Sequence, residues 1–244
     1  MTKILIAGDW HGNTVWMEKA LRTAAKTGIS TLVHVGDLAV LWPAVNGDRF
    51  TKILKRRLNE HGITMIFVDG NHDVHPKLRA LALNAGGFGV ISDRLLYAPR
   101  GHRWELDGVR FGALGGAFSI DRRFRKLGST WWEGEEVVPE DVERLGNGEL
   151  DVLITHEVPA GIDVISELDL PEALERDSYA SRLLVRDAVR NTKPALVFSG
   201  HWHQRRTGMM PGMETRVHVL HKEFFNGNLV TLDLKTLAVE EFAA

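Results

Sequence analysis

The sequence predicts an α/β fold in which two β-sheets pack face to face with helices outside. Three observations predict it. Short, near-continuous apolar runs recur along the chain, the pattern of strands buried on both faces. Helix-like stretches separate the first three runs, as in a parallel βαβαβ unit. The middle and the tail instead show short strands broken by turn signals such as Asp107-Gly108 and Asn226-Gly227.

Taken in order, Lys3 to Ala7 is the first strand and ends at Gly8-Asp9. A helix over Thr14 to Lys26 closes near Gly28. The strand Thr31 to Val35 ends at Gly36-Asp37, and a helix over Arg49 to His61 closes at Gly62. The strand Thr64 to Val68 runs into Asp69-Gly70-Asn71-His72. Val90 to Leu114 reads as short strands interrupted by Asp93-Arg94, Pro99-Arg100-Gly101 and Asp107-Gly108. Asp151 to Ile154 runs into Thr155-His156, and Ala195 to Phe198 into Ser199-Gly200-His201. In the tail, Asn226-Gly227 reads as a second hairpin turn. Two stretches fit no element: Ala117 to Val138, which is polar, basic and Trp-bearing, and the acidic Gly161 to Glu175. Loops of that length are often lids or binding loops. With no repeat, low-complexity tract or linker, residues 1–244 read as one domain.

Composition narrows the function. At 44% hydrophobic, the chain can bury a full core. A net charge of −2 argues against a protein that coats nucleic acid, so no stable nucleic-acid complex is expected. The absence of cysteine removes disulfide frameworks and thiolate metal sites. Thr2-Lys3 leads into an apolar run too short for a signal peptide, and no run reaches the roughly 18 residues of a membrane span. A cytoplasmic protein without a membrane partner is expected.

The chemistry lies in five short strings: Gly8-Asp9-Trp10-His11-Gly12, Gly36-Asp37, Gly70-Asn71-His72-Asp73, Thr155-His156-Glu157 and Gly200-His201-Trp202-His203. Each follows an expected strand, and in α/β sheets sites gather at the carboxyl ends of strands. The strings offer Asp9, His11, Asp37, Asn71, His156, His201 and His203 as oxygen and nitrogen donors. Such donors suit manganese, iron or zinc better than soft copper. They are too many for one four-coordinate ion and suit two ions sharing a carboxylate, the clamp used in phosphoryl displacement. Asp37, alone after its strand, is the natural bridge.

The ordered set from Asp9 to His203 resembles the calcineurin-like metallophosphoesterase family. That resemblance implies a four-layer α/β/β/α sandwich of two mixed β-sheets flanked by helices. It implies two divalent ions, with manganese expected and iron, zinc or nickel as alternatives. One would be held by Asp9, His11, Asp37 and His203, the other by Asp37, Asn71, His156 and His201. His72 matches the family's non-ligand histidine, which contacts the phosphate and protonates the leaving oxygen while a metal-bridging hydroxide attacks phosphorus. A histidine has an ordinary pKa near 6.5, suited to that role.

One departure bears on substrate. The phosphoprotein phosphatases carry a second acid after the Gly-Asp pair, followed by Arg. Here the run is Gly36-Asp37-Leu38-Ala39-Val40-Leu41. The chain thus looks unlike that subgroup, and its loop Trp and Arg residues, with the resemblance to a family whose small single-domain members often hydrolyse diesters, give the expectation of a phosphodiesterase acting on a small phosphate ester, a nucleotide or cyclic nucleotide. A phosphomonoesterase, a nuclease and a non-catalytic binding module on the same fold are the alternatives. Asn71, His72, Arg122 and Arg123 are the candidate substrate contacts, with the basic run after Asp121 steering an anion inward. Arg205 and Arg206 could do the same. Ser119, Asp121 and Arg122 would lie near the site if a strand ends at Gly115-Gly116. Asp73 is the only acid in the His72 string. Trp42, Trp131 and Trp132 fall in expected loops, where an indole either packs on the sheets or stacks on a nucleobase. His34, His61, His75, His102, His218 and His221 read as surface or core residues.

Overall fold

The computed structural model describes residues 2–43, 48–166 and 170–244. The first half alternates strand and helix as its apolar runs dictate: β1 (Lys3–Ala7), α1 (Thr14–Lys26), β2 (Thr31–His34), α2 (Arg49–His61) and β3 (Thr64–Phe67). Asn13 and Asp48 cap the two helices by accepting the N–H of Trp16 and Thr51. Gly62 ends α2 in the left-handed conformation, φ 67°. A short α3 (His75–Arg79) precedes β4 (Gly89–Ser92), β5 (Leu95–Tyr97), β6 (Arg103–Leu106) and β7 (Val109–Leu114). The second half holds α4 (Pro139–Leu145), β8 (Val152–Thr155), α5 (Glu172–Thr192), β9 (Leu196–Ser199), β10 (Arg206–Met209), β11 (Arg216–Val219), β12 (Leu229–Asp233) and β13 (Val239–Glu241).

These strands form two mixed sheets. One has seven strands in the order β13-β12-β1-β2-β3-β5-β4, with β1, β2, β3 and β5 parallel. The other has six in the order β10-β11-β9-β8-β7-β6, with β7, β8, β9 and β11 parallel. Three buried clusters define four layers. Met17, Leu21 and Leu54 of α1 and α2 pack on Leu5 and Leu32 of the first sheet. Ile6, Val33, Ile66, Phe111, Ile154 and Phe198 fill the space between the sheets. Val142, Val185 and Val189 of α4 and α5 cover Leu153 and Val197 of the second. The molecule is thus an α/β/β/α sandwich, and because β1, β2, β3, β8 and β9 are buried on both sides, their sequences are continuously apolar.

Two expectations change. The Asn226-Gly227 turn does not join a hairpin: β11 before it belongs to the six-stranded sheet and β12 after it to the seven-stranded one. Gly227 still takes the left-handed backbone that a turn asks for, φ 82°, but the turn serves a crossing between sheets. The acidic stretch Gly161 to Glu175 ends inside α5, which starts at Glu172; residues 167–169 of it lie outside the described residues. Asp107-Gly108 does turn the β6–β7 hairpin. Among the described residues no helix is long and apolar enough to cross a membrane.

Candidate metal centre

The candidate ligands leave their strands through strained turns. His11, Asp37, His201 and His203 all have positive φ, between 43° and 66°, a conformation that costs a non-glycine residue free energy and gathers at functional sites. Each such turn swings a side chain back over the strand ends. The glycines in the strings allow the close approach that follows. A Cβ on Gly70 would lie 2.2 Å from Asp37 Oδ1, and one on Gly200 2.1 Å from Asp9 Oδ1.

The structure brings all seven donor residues together. Ligating atoms of Asp9, His11, Asp37 and His203 lie within 4.8 Å of one another. His203 Nε2 is 3.2 Å from Asp9 Oδ2, and His11 Nε2 is 3.4 Å from Asp37 Oδ2. The other Asp37 oxygen, Oδ1, is 3.4 Å from His156 Nε2, which in turn is 3.0 Å from Asn71 Oδ1. The His201 ring sits 5.2 Å from that of His156. Asp37 therefore faces both groups, one oxygen to each.

The electrostatics fit a cation. Asp9 and Asp37 are buried side by side, and buried carboxylates need positive charge nearby. Burial pushes the His11 ring toward neutrality, but its hydrogen bonds to Asp37 and Glu223 and the charges of Asp37 and Asp9 outweigh that, raising its pKa to about 11. Burial opposes charge on His156 too, and Asp37 then Asp9 overcome it, raising its pKa to about 10. The same carboxylates that favour positive charge on these imidazoles would favour a divalent ion between them. His201 differs: burial and then the charge of His156 lower it to about 3, leaving a neutral ring with a lone pair to give.

A second layer of contacts orients the donors. His156 Nδ1 lies 2.9 Å from the Val35 carbonyl oxygen, which accepts its N–H and turns Nε2 toward Asp37 and Asn71. His11 Nδ1 lies 3.0 Å from Glu223 Oε2, a carboxylate–imidazole pair of the kind that fixes a metal-binding ring. Glu157 is fully buried; its Oε1 accepts from Trp202 Nε1 at 2.8 Å, and its Oε2 lies 3.7 Å from His201 Nε2. Asn228 donates to the Asp9 carbonyl and accepts from the indoles of Trp10 and Trp16, so Trp10 is a buried structural residue.

His72 stands at the opening. Its backbone N–H donates to Asp37 Oδ1 at 2.7 Å, and its ring is 5.8 Å from that of His11. Burial lowers the pKa of its ring; Asp37 and Asp121 pull it up, while Arg125 and His11 push it down. Asp73 does not orient this ring. Its two oxygens accept the N–H groups of Ala39 and Gly70, both at 2.8 Å, and so shape the loops that carry Asp37 and Asn71.

The Ala117 to Val138 stretch is stapled to the core. Arg100 is buried and donates to Asp69 Oδ2 through Nε at 2.9 Å and Nη2 at 2.6 Å, and to the carbonyls of Gly134, Glu135 and Glu136. Within the basic run, Arg125 turns inward: it donates to Ser119 Oγ at 2.6 Å and to the Asn71 carbonyl at 3.3 Å. Arg122 instead pairs with Glu136 at 2.9 Å, and Arg123 lies over the exposed Phe124 ring. Arg205 reaches Glu241, and Arg206 reaches Gln204. The local sequence does not separate Arg125 from its neighbours, because its direction is set by Ser119 and Glu135. His75, held by Asp69, and His34, buried against Trp10, belong to the core.

The molecule is thus a four-layer sandwich whose carboxylate, imidazole and amide cluster at the strand ends offers the oxygen and nitrogen donors that suit divalent ions. The model of the calcineurin-like phosphoesterase family matches residues 2–205, and the chain belongs to that family. The family uses divalent metal ions. The chain is 30% identical over 89 residues to exonuclease subunit 1 of Enterobacteria phage T4, a match covering 31% of this chain and 26% of that protein. Among solved structures, the TT1561 protein of Thermus thermophilus is similar at TM-score 0.63 and 17% identity, over 99% of this chain and 98% of that one. A dimetal phosphatase from Danio rerio is similar at TM-score 0.55 and 12% identity, over 99% and 96%. An archaeal phosphodiesterase is similar at TM-score 0.52 and 13% identity, over 99% of each chain. At these identities the likeness speaks to the fold.

Proposed function

We propose that the protein hydrolyses phosphodiesters of the nucleotide type at a centre of two divalent ions, with manganese the expected metal. The observation that carries the reading is the convergence of Asp9, His11, Asp37 and His203 within 4.8 Å, extended through Asp37 and His156 to Asn71. Two divalent ions, when bound, supply a water of lowered pKa and offset the charge that builds on the phosphoryl oxygens. Asp9, His11, Asp37 and His203 would hold one, and Asp37, Asn71, His156 and His201 the other. The partner is a small phosphate ester.

The chain's own residues divide the rest of the work. Asp37 offers one oxygen to each group of donors. Glu223 and the Val35 carbonyl keep the His11 and His156 rings aimed. His72, at the opening, gives a proton to the leaving oxygen. The preference for diesters has a charge argument behind it. A phosphomonoester brings two negative charges and calls for cationic side chains at the phosphate. Arg125, the inward-facing arginine of the basic run, is already held by Ser119, Glu135 and the Asn71 carbonyl. The names of the archaeal phosphodiesterase and of the phage exonuclease subunit agree with a diester.

The test is a manganese-supplemented assay on bis(p-nitrophenyl) phosphate and p-nitrophenyl phosphate, with a chelator control. Chelator-sensitive cleavage mainly of the diester is expected. Preference for the monoester would replace this reading with a phosphatase. Silence on both, with metal bound, would leave a binding module.

A further inference from the structure

His72 lines two cavities, one on either side of it. The first, of about 400 Å³, is bounded by His11, Ala39, Trp42, Asp48, Arg49 and Phe50. The second, of about 260 Å³, holds Asp37, Asn71, His201 and His203 and extends to Ile120, Ile165 and Trp202. The candidate ligands thus divide, with His11 facing the first cavity and Asp37, Asn71, His201 and His203 facing the second. Each cavity has a polar end at the metal centre and an aromatic or aliphatic end away from it, as ligand pockets do.

The first cavity has no task in the chemistry described above. Its far end is built from the Trp42 indole, held edge-on by Trp132 at 4.9 Å, and from the buried ring of Phe50. Arg49 is exposed beside it and makes no ion pair among the described residues. An aromatic surface with an exposed arginine at its rim suits a nucleobase.

We infer that the Trp42 cavity holds one nucleoside arm of a linear phosphodiester whose other arm lies in the Trp202 cavity, His72 standing between them. This rests on the phosphodiesterase reading and sharpens it. Both ester oxygens of a 3′,5′-cyclic nucleotide belong to one sugar, so such a substrate has one base and fills one cavity. A linear dinucleotide has two arms and fills both. The substrate class is therefore a linear diester, and Trp42 determines specificity for it.

The experiment compares wild type with Trp42→Ala and Trp42→Phe on a linear dinucleotide, 3′,5′-cyclic AMP and methyl p-nitrophenyl phosphate, whose second arm is a methyl group. Wild type should favour the dinucleotide over the cyclic nucleotide in kcat/KM. Trp42→Ala should lower the ratio of dinucleotide to methyl-ester kcat/KM by about tenfold, the size of one base–aromatic stack. Trp42→Phe should recover part of that ratio. Equal losses on both esters in Trp42→Ala, or a cyclic nucleotide preferred by wild type, would overturn the inference. Binding read without turnover separates this from the parent reading: dinucleotide added under chelator should quench intrinsic fluorescence in wild type and quench it less in Trp42→Ala. An unchanged quench in the variant sinks the arm pocket even if diesters are cleaved. A quench that depends on Trp42 sustains the pocket even if the hydrolysis assay fails.

Discussion

Asn71 Nδ2 donates to Ser119 Oγ at 2.9 Å, and this contact decides which end of the Asn71 amide faces the metal centre. The Ser119 hydroxyl has one proton and two lone pairs. Its proton goes to Glu135 Oε2 at 2.6 Å. Its lone pairs take the Arg125 Nη1 donor at 2.6 Å and the Asn71 amide donor. With the hydroxyl saturated, only the NH₂ end of Asn71 can point at Ser119. The carbonyl end is left facing His156 Nε2 at 3.0 Å, where a neutral oxygen donor is wanted.

Ser119→Ala removes that lock while leaving the Arg125–Glu135 pair in place. The amide can then turn its NH₂ toward the ions. Loss of such an outer contact costs about 10–100-fold in metal affinity or activity. A loss of that size is expected, read by metal titration and by kcat on a diester, and Ser119→Thr should restore most of it. Wild-type metal affinity and turnover in Ser119→Ala would mean that His156 alone orients Asn71.

The Arg100 network gives a stability prediction. Arg100 and Asp69 are both buried, and Arg100 also carries the carbonyls of residues 134–136. Arg100→Met strands the Asp69 carboxylate. Breaking one side of a buried pair costs about 3–5 kcal/mol. For a chain of this size that lowers Tm by roughly 6–20 °C. Calorimetry checks it, and a shift under about 2–3 °C, on the order of 1 kcal/mol, would show that His75 and Tyr97 suffice to hold Asp69.

Much of this was legible in the sequence, and the limits have physical causes. The ligand strings stand out because each begins at the end of a buried strand or within three residues of it, so local order reports spatial convergence. Helix α5 was hidden because its buried face carries Ser178, Ser181 and Thr192 beside Val185 and Val189, which blurs the apolar period. Glu223 pairs with His11 across 212 positions, and nothing near it in sequence marks the contact. Asn226-Gly227 carries a true local turn signal, but a turn does not say which sheet receives the next strand. Asp73 reads as a partner for His72 by proximity, whereas its carboxylate is taken by two backbone N–H groups.

Metal loss should follow from a single change at the shared carboxylate. Asp37 Oδ2 faces His11 and Oδ1 faces His156, so Asp37→Ala opens both groups of donors at once. Metal analysis of the purified variant should find both ions depleted, with activity lost in parallel. Two ions retained at full occupancy would remove Asp37 from the bridging position.

His72 gives the sharpest test of chemistry, because its assigned task depends on the leaving group while its surroundings do not. Its backbone N–H, held by Asp37, survives mutation of the ring. His72→Ala should therefore keep its metal and its fold. A general acid contributes about 10²–10⁴-fold when the departing oxygen needs a proton. A nucleoside leaves as a strongly basic alkoxide and does need it; p-nitrophenolate hardly does. The variant should lose about 10²-fold or more on a dinucleotide and far less on bis(p-nitrophenyl) phosphate. If the ring served only to bind phosphate, both substrates would suffer alike. Equal losses on the two would thus assign His72 to binding and leave protonation of the leaving oxygen to solvent.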